Sequence, residues 1–62
     1  MNDKELIQKA YEASITAIYA AFVVAYTAAL GDEQSEKQAE GQFRSNVLHA
    51  RHIRDRALAV LP

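Results

Sequence analysis

No charge falls between Glu12 and Asp32, and this gap constrains the chain more than any other feature. Residues 13–31 read ASITAIYAAFVVAYTAALG. Seven of them are Ala, while Ile15, Ile18, Phe22, Val23, Val24 and Leu30 supply bulk. In a chain of 62 residues such a segment must be covered, by lipid or by other helices. A domain this small is marginal by itself and usually needs a disulfide, a metal or a partner. The chain has no Cys, which excludes disulfides and thiolate metal sites.

The rest of the sequence favours helices over any other covering. Only two Gly and one Pro punctuate the chain, and the Pro is the last residue. Asn2 with Glu5 three residues later has the spacing of a capping box. Gly31 suits the left-handed residue that ends a helix. Asp32 can then cap the next helix, with Glu33 and Glu36 at its positive end. Arg51, Arg54 and Arg56 come near the far end, where cations oppose the dipole. The spacing predicts a helix over about 3–30, a turn at Gly31-Asp32, and a helix over about 33–61. Gly41 lies inside the second pattern at a cost of about 1 kcal/mol; a continuous helix is expected there, with a break as the alternative. Two long helices joined by a short turn lie antiparallel.

The two helices differ in how much of their circumference is apolar. One seam of the first reads Ile7, Ala10, Ser14, Ala17, Ala21, Val24, Ala28, mostly small residues that allow close approach. A second reads Tyr11, Ile15, Ile18, Phe22, Ala25, Ala29, and a third carries Tyr19, Val23, Tyr26 and Leu30. A helix apolar on so many sides belongs in the middle of an assembly. The second helix has one seam, Ala39, Phe43, Asn46, Ala50, Ile53, Ala57, Val60, widened by Val47, Leu58 and Leu61. Asn46 is its one polar member, and a lone Asn in such a place fixes register. Elsewhere Glu33–Lys37, Glu40–Arg44 and Arg51–Asp55 have i,i+4 spacing. One such helix cannot cover three seams of the other. The expected architecture is therefore all-α: a two-helix antiparallel hairpin that self-associates into a four-helix or larger bundle. Ala10, Ser14, Ala17, Ala21, Val24 and Ala28, with Ile18 and Phe22, are the expected oligomer interface. In length, turn position and small-residue seam the arrangement resembles Rop-type hairpins, which pair into antiparallel four-helix bundles; the resemblance assigns no functional residue.

Candidate chemistry is sparse. His49 and His52 stand one turn apart beside Arg56, but a metal site needs a third ligand, and Asn46 occupies the position where a Glu-x-x-His motif would have its Glu. Arg44, Arg51, Arg54 and Arg56 make residues 44–56 locally basic, so His49, His52 and Arg56 form a candidate anion or nucleic-acid face. Aromatic residues for base stacking are missing from it. Tyr11, Tyr19 and Tyr26 suit an interface core better than a ligand cavity. Neither a Ser–His–acid constellation nor a Gly-rich phosphate loop is present. Net charge is −1, which gives the whole chain no attraction to polyanions.

The sequence thus leads to a non-enzymatic, oligomeric interaction or regulatory module with no cofactor and no metal. Its expected partners are further copies of itself and another protein. A nucleic-acid-binding regulator is one alternative. A single-pass membrane-associated peptide through residues 13–31 is the other; weakly lipophilic Ala, Tyr19 and Tyr26 within the stretch, and the lack of Trp weigh against it. Acids in the first five residues are foreign to a secretory leader, so a cytoplasmic location is expected.

Overall fold

A computed structural model describes residues 2–62. They form two helices and no strand: α1, Asp3–Ala28, and α2, Glu33–Ala59. Both begin on the caps expected of them. The Asn2 side chain accepts from the Glu5 N–H at 2.8 Å. Asp32 Oδ2 accepts from the Ser35 N–H at 2.9 Å and from its hydroxyl at 2.7 Å. These bonds satisfy N-terminal donors that a helix cannot pair internally.

The turn is longer than Gly31-Asp32. Helix α1 stops at Ala28, and the chain reverses over 29–32, closed by Leu30 N–H to Thr27 O at 3.2 Å and Asp32 N–H to Ala29 O at 2.9 Å. Gly31 has φ +81°, as a C-terminal glycine should. Leu30 also sits in the left-handed region at φ +50°, which costs an L-residue about 1–2 kcal/mol. Helix α2 passes through Gly41 without a break.

The hairpin is a single layer. Its backbone extends 48 Å by 18 Å but only 7 Å in depth. The second seam of α1 lies against α2: Tyr11, Ile15, Ile18 and Phe22 are half-buried, joined by Ile7 from the first seam, and Ala29 is buried at the turn. Phe22 meets Phe43 with ring centroids 4.7 Å apart. From α2 the packed residues are Ala39, Phe43, Asn46, Val47, Ala50, Arg54, Ala57, Leu58 and Leu61. The expected seam therefore holds through Ala50 and again at Ala57, but not at Ile53 and Val60. Ile53 and Val60 are 54% and 71% exposed, and Arg54 and Leu61 take their places. A straight helix drifts about 20° per heptad against a strict seven-residue repeat, and two heptads of drift move the contact to the next residue.

Of the expected ion pairs, Glu33–Lys37 forms at 3.2 Å with both side chains exposed, so it adds only about 0.3–0.5 kcal/mol. Asp55 pairs with its neighbour Arg54, at 2.9 Å, and not with Arg51. No described helix is long and apolar enough to cross a membrane. The charge-free part of α1 ends at Ala28, about 24 Å of helix against a hydrocarbon core of about 30 Å.

Candidate assembly face and the basic end of the second helix

At 100° per residue, Ala10, Ser14, Ala17, Ala21, Val24 and Ala28 fall on one side of α1, roughly a quarter-turn from the direction of α2. All six are exposed. Ile18 and Phe22, grouped with them from the sequence, are half-buried against α2 and belong to the hairpin's own contact. Ser14 adds no unpaired polar group to the seam. Its hydroxyl donates to the Ala10 carbonyl of its own helix at 3.1 Å.

Both sides of the hairpin are grooved, and two grooves lie on this one. Towards the open end, a groove of about 460 Å³ runs between Ala10 and Ser14 of α1 and Asn46, His49 and Ile53 of α2. Towards the turn a second groove of about 390 Å³ lies between Ala25 and Ala28 on one wall and Gln38, Ala39 and Gln42 on the other. Asn46 stands between them, half-buried. Its Oδ1 accepts from Gln42 Nε2 at 3.0 Å. Its own amide nitrogen makes no hydrogen bond to the described residues and is open to solvent.

The other side carries Tyr19, Val23 and Tyr26 on α1 and Glu40, Arg44 and Arg51 on α2. Phe22 and Tyr26 stack at 5.5 Å with planes tilted by 57°. The Tyr26 hydroxyl is held above its ordinary value, chiefly by the Glu36 carboxylate, with burial and Glu40 adding to the effect. Acidic charge thus collects near the turn, where Asp32, Glu33, Glu36 and Glu40 face a single Lys37.

The basic end of α2 divides in two. Arg54 is occupied: its guanidinium lies 4.4 Å from the Tyr11 ring centroid and donates to Asp55 Oδ1 through Nε at 3.0 Å and through Nη2 at 2.9 Å. Arg51, Arg56, His49 and His52 are exposed and make no ion pair among the described residues. His49 and Arg56, two turns apart, lie along the side of the Ala10–Ala28 seam, and His52 points further outward. Among the described residues no cluster of three or more His, Asp or Glu is placed to hold a metal ion. The Arg54–Tyr11 stack and the Gln42–Asn46 bond were not read from the sequence. The stack depends on helical drift, and the bond, though at plain i,i+4 spacing, joins residues assigned to different faces. No protein-family model matches the chain, and no curated protein and no solved structure matches it.

Proposed function

We propose that this chain is a non-enzymatic assembly module, a hairpin that pairs through the Ala10–Ala28 seam with a second copy of itself to form a four-helix bundle, whose outer surface then serves a protein partner. The observation that carries this reading is the single layer. Stable domains bury apolar faces between two layers, whereas here no large side chain among the described residues is fully buried and Val24, Tyr19 and Leu30 are 70%, 59% and 90% exposed. A standard interface takes about 800 Å² from each partner, roughly a sixth of the 4763 Å² that one hairpin exposes. Light scattering on detergent-free protein tests it. A dimer or larger species is expected at micromolar concentration, and Ala21→Glu is expected to dissociate and unfold it by placing a charge in the contact. A folded, stable monomer overturns the reading.

The free cations Arg51 and Arg56, with His49 and His52, favour a second reading: a nucleic-acid-binding regulator whose affinity falls steeply with salt. Titration with mixed RNA and DNA at low salt tests it. No binding at high micromolar protein removes it.

A further inference from the structure

We propose that the two copies pair antiparallel across a two-fold axis that passes through the level of Asn46, so that Asn46 meets the partner's Asn46. This inference rests on the reading of the chain as self-associating, and specifies its geometry. Four observations converge on that axis.

The first is where residues stand along the hairpin. Phe22 is level with Phe43, and Tyr11 with Arg54. On that correspondence Asn46 is level with the segment between Ala17 and Ala21. The second is the symmetry of the seam about that same level. A two-fold there sets Ala10 against the partner's Ala28, Ser14 against the partner's Val24, and Ala17 against the partner's Ala21. Every pair includes a small residue, so two helices approach closely along the whole seam, and the Ser14 hydroxyl is already satisfied internally. The third is α2 itself. It runs Glu33–Ala59, and Asn46 is its central residue, so an axis at Asn46 overlaps the two α2 helices end to end. The Asn46 amide nitrogen, unpartnered within the hairpin, then finds an acceptor in the partner's Asn46 Oδ1. A polar group so placed penalises every shifted register, because a shift sets it against apolar residues.

Charge selects between the two possible axes. An axis along the helices would put both turns at one end, collecting Asp32, Glu33, Glu36 and Glu40 from both copies. It would also lay the uncharged seam of α1 on the side of α2 that carries Gln38, Gln42, His49 and Arg56. An axis across the helices lays α1 on the partner's α1, apolar on apolar. It brings the acidic first half of α2 beside the basic second half of the partner's α2. Arg56 comes level with the partner's Glu36.

The chain lacks Cys, so single substitutions report the geometry directly. Gln34→Cys carrying a nitroxide is expected to show an inter-copy distance of about 36 Å or more by pulsed dipolar spectroscopy, from 24 residues of helix between the two levels. Asn46→Cys is expected to form an intermolecular disulfide under mild oxidation, while unlabelled Gln34→Cys is not. Light scattering on both variants establishes that dimer is present. A dimer with labels at residue 34 within about 20 Å overturns the antiparallel geometry but leaves self-association intact. A dimer in which Asn46→Cys does not cross-link, and whose residue-34 labels on the chain with Asn46 intact depart from the expected separation, overturns the register. A folded monomer overturns the assembly reading itself.

Discussion

The Arg54 guanidinium stacks on the Tyr11 ring at 4.4 Å while its donors hold Asp55, so one side chain joins the two helices short of the hairpin's open end. Arg54 is the more packed of the two charges, with 23% of its side chain exposed against 58% for Asp55. Arg54→Ala is expected to lower stability by about 0.5–1 kcal/mol, the range of a partly exposed cation–π contact. In urea unfolding at fixed protein concentration, Tyr11→Leu and Arg54→Ala together should cost less than their separate effects combined. Full additivity would show that the stack contributes nothing.

Phe22 and Phe43 meet across the two helices with ring centroids 4.7 Å apart. Complete truncation of a buried Phe costs about 3–5 kcal/mol. Both residues are half-buried, so Phe43→Ala is expected to cost about 2 kcal/mol. Urea midpoints at two protein concentrations check this: the loss should persist at both, because the contact lies within one hairpin.

What the sequence made legible was local or periodic. The caps at Asn2 and Asp32, the glycine at 31 and the contrast between the two helices follow from residue chemistry at fixed spacing. The packed side of α1 was harder to choose, because three of its seams are apolar and only the position of α2 selects the one holding Tyr11 and Phe22. Ile53 was misplaced for a geometric reason, the drift of a straight helix against a heptad. Leu30 was missed because nothing in a Leu announces a left-handed backbone; the closure of the turn imposes it. The seam holding Ala17 and Ala21 is legible as a close-contact surface in the sequence, and its symmetry about Asn46 emerges only once the two helices are in register.

The backbone conformations at 30, 31 and 41 predict three stability changes. A Cβ at Gly41 would meet no atom within 4 Å, and the residue lies inside a helix, so Gly41→Ala should stabilise by about 1 kcal/mol. Gly31→Ala meets no clash either, yet its φ of +81° should cost about 1 kcal/mol. Leu30→Gly should relieve strain at φ +50° and recover up to about 1 kcal/mol, less the entropy of a more flexible unfolded chain. Thermal melts of the three variants are expected to split in sign, with 41 and 30 up and 31 down. A rise for Gly31→Ala would refute the turn geometry.

The Asp32 carboxyl is held below its ordinary value by the Ser35 hydroxyl, then by the Ser35 N–H, against a smaller opposing effect of burial. Its folded pKa is therefore lower than its unfolded one, ordinarily about 3.8. The stabilisation is fully present above that value and is lost as pH falls through the depressed folded value. Asp32→Asn keeps a competent cap without the charge. The difference in melting midpoint between the natural chain and Asp32→Asn should be constant from pH 7 to about pH 5 and shrink below about pH 4. A difference that stays constant into strong acid would mean that the cap is not ionised at neutral pH.

Asn46 is the position where stability and specificity separate. In the antiparallel pairing its amide meets the partner's Asn46 at the axis, a neutral hydrogen bond of about 1 kcal/mol whose partners must first lose water. Replacing both amides by apolar groups of similar size is neutral or stabilising for a buried pair, and Gln42, itself exposed, can return its freed amide to solvent. Asn46→Leu should therefore raise the melting midpoint. It should also remove the penalty on shifted registers and on larger assemblies, since a continuous apolar seam then runs from Phe43 to Ala50. Sedimentation velocity is expected to resolve one species for the natural chain and a mixture for Asn46→Leu, with the mixture growing at higher concentration. A variant that is less stable and still a single species would place Asn46 in a structural bond within the hairpin, the one it shares with Gln42, and away from any two-fold axis.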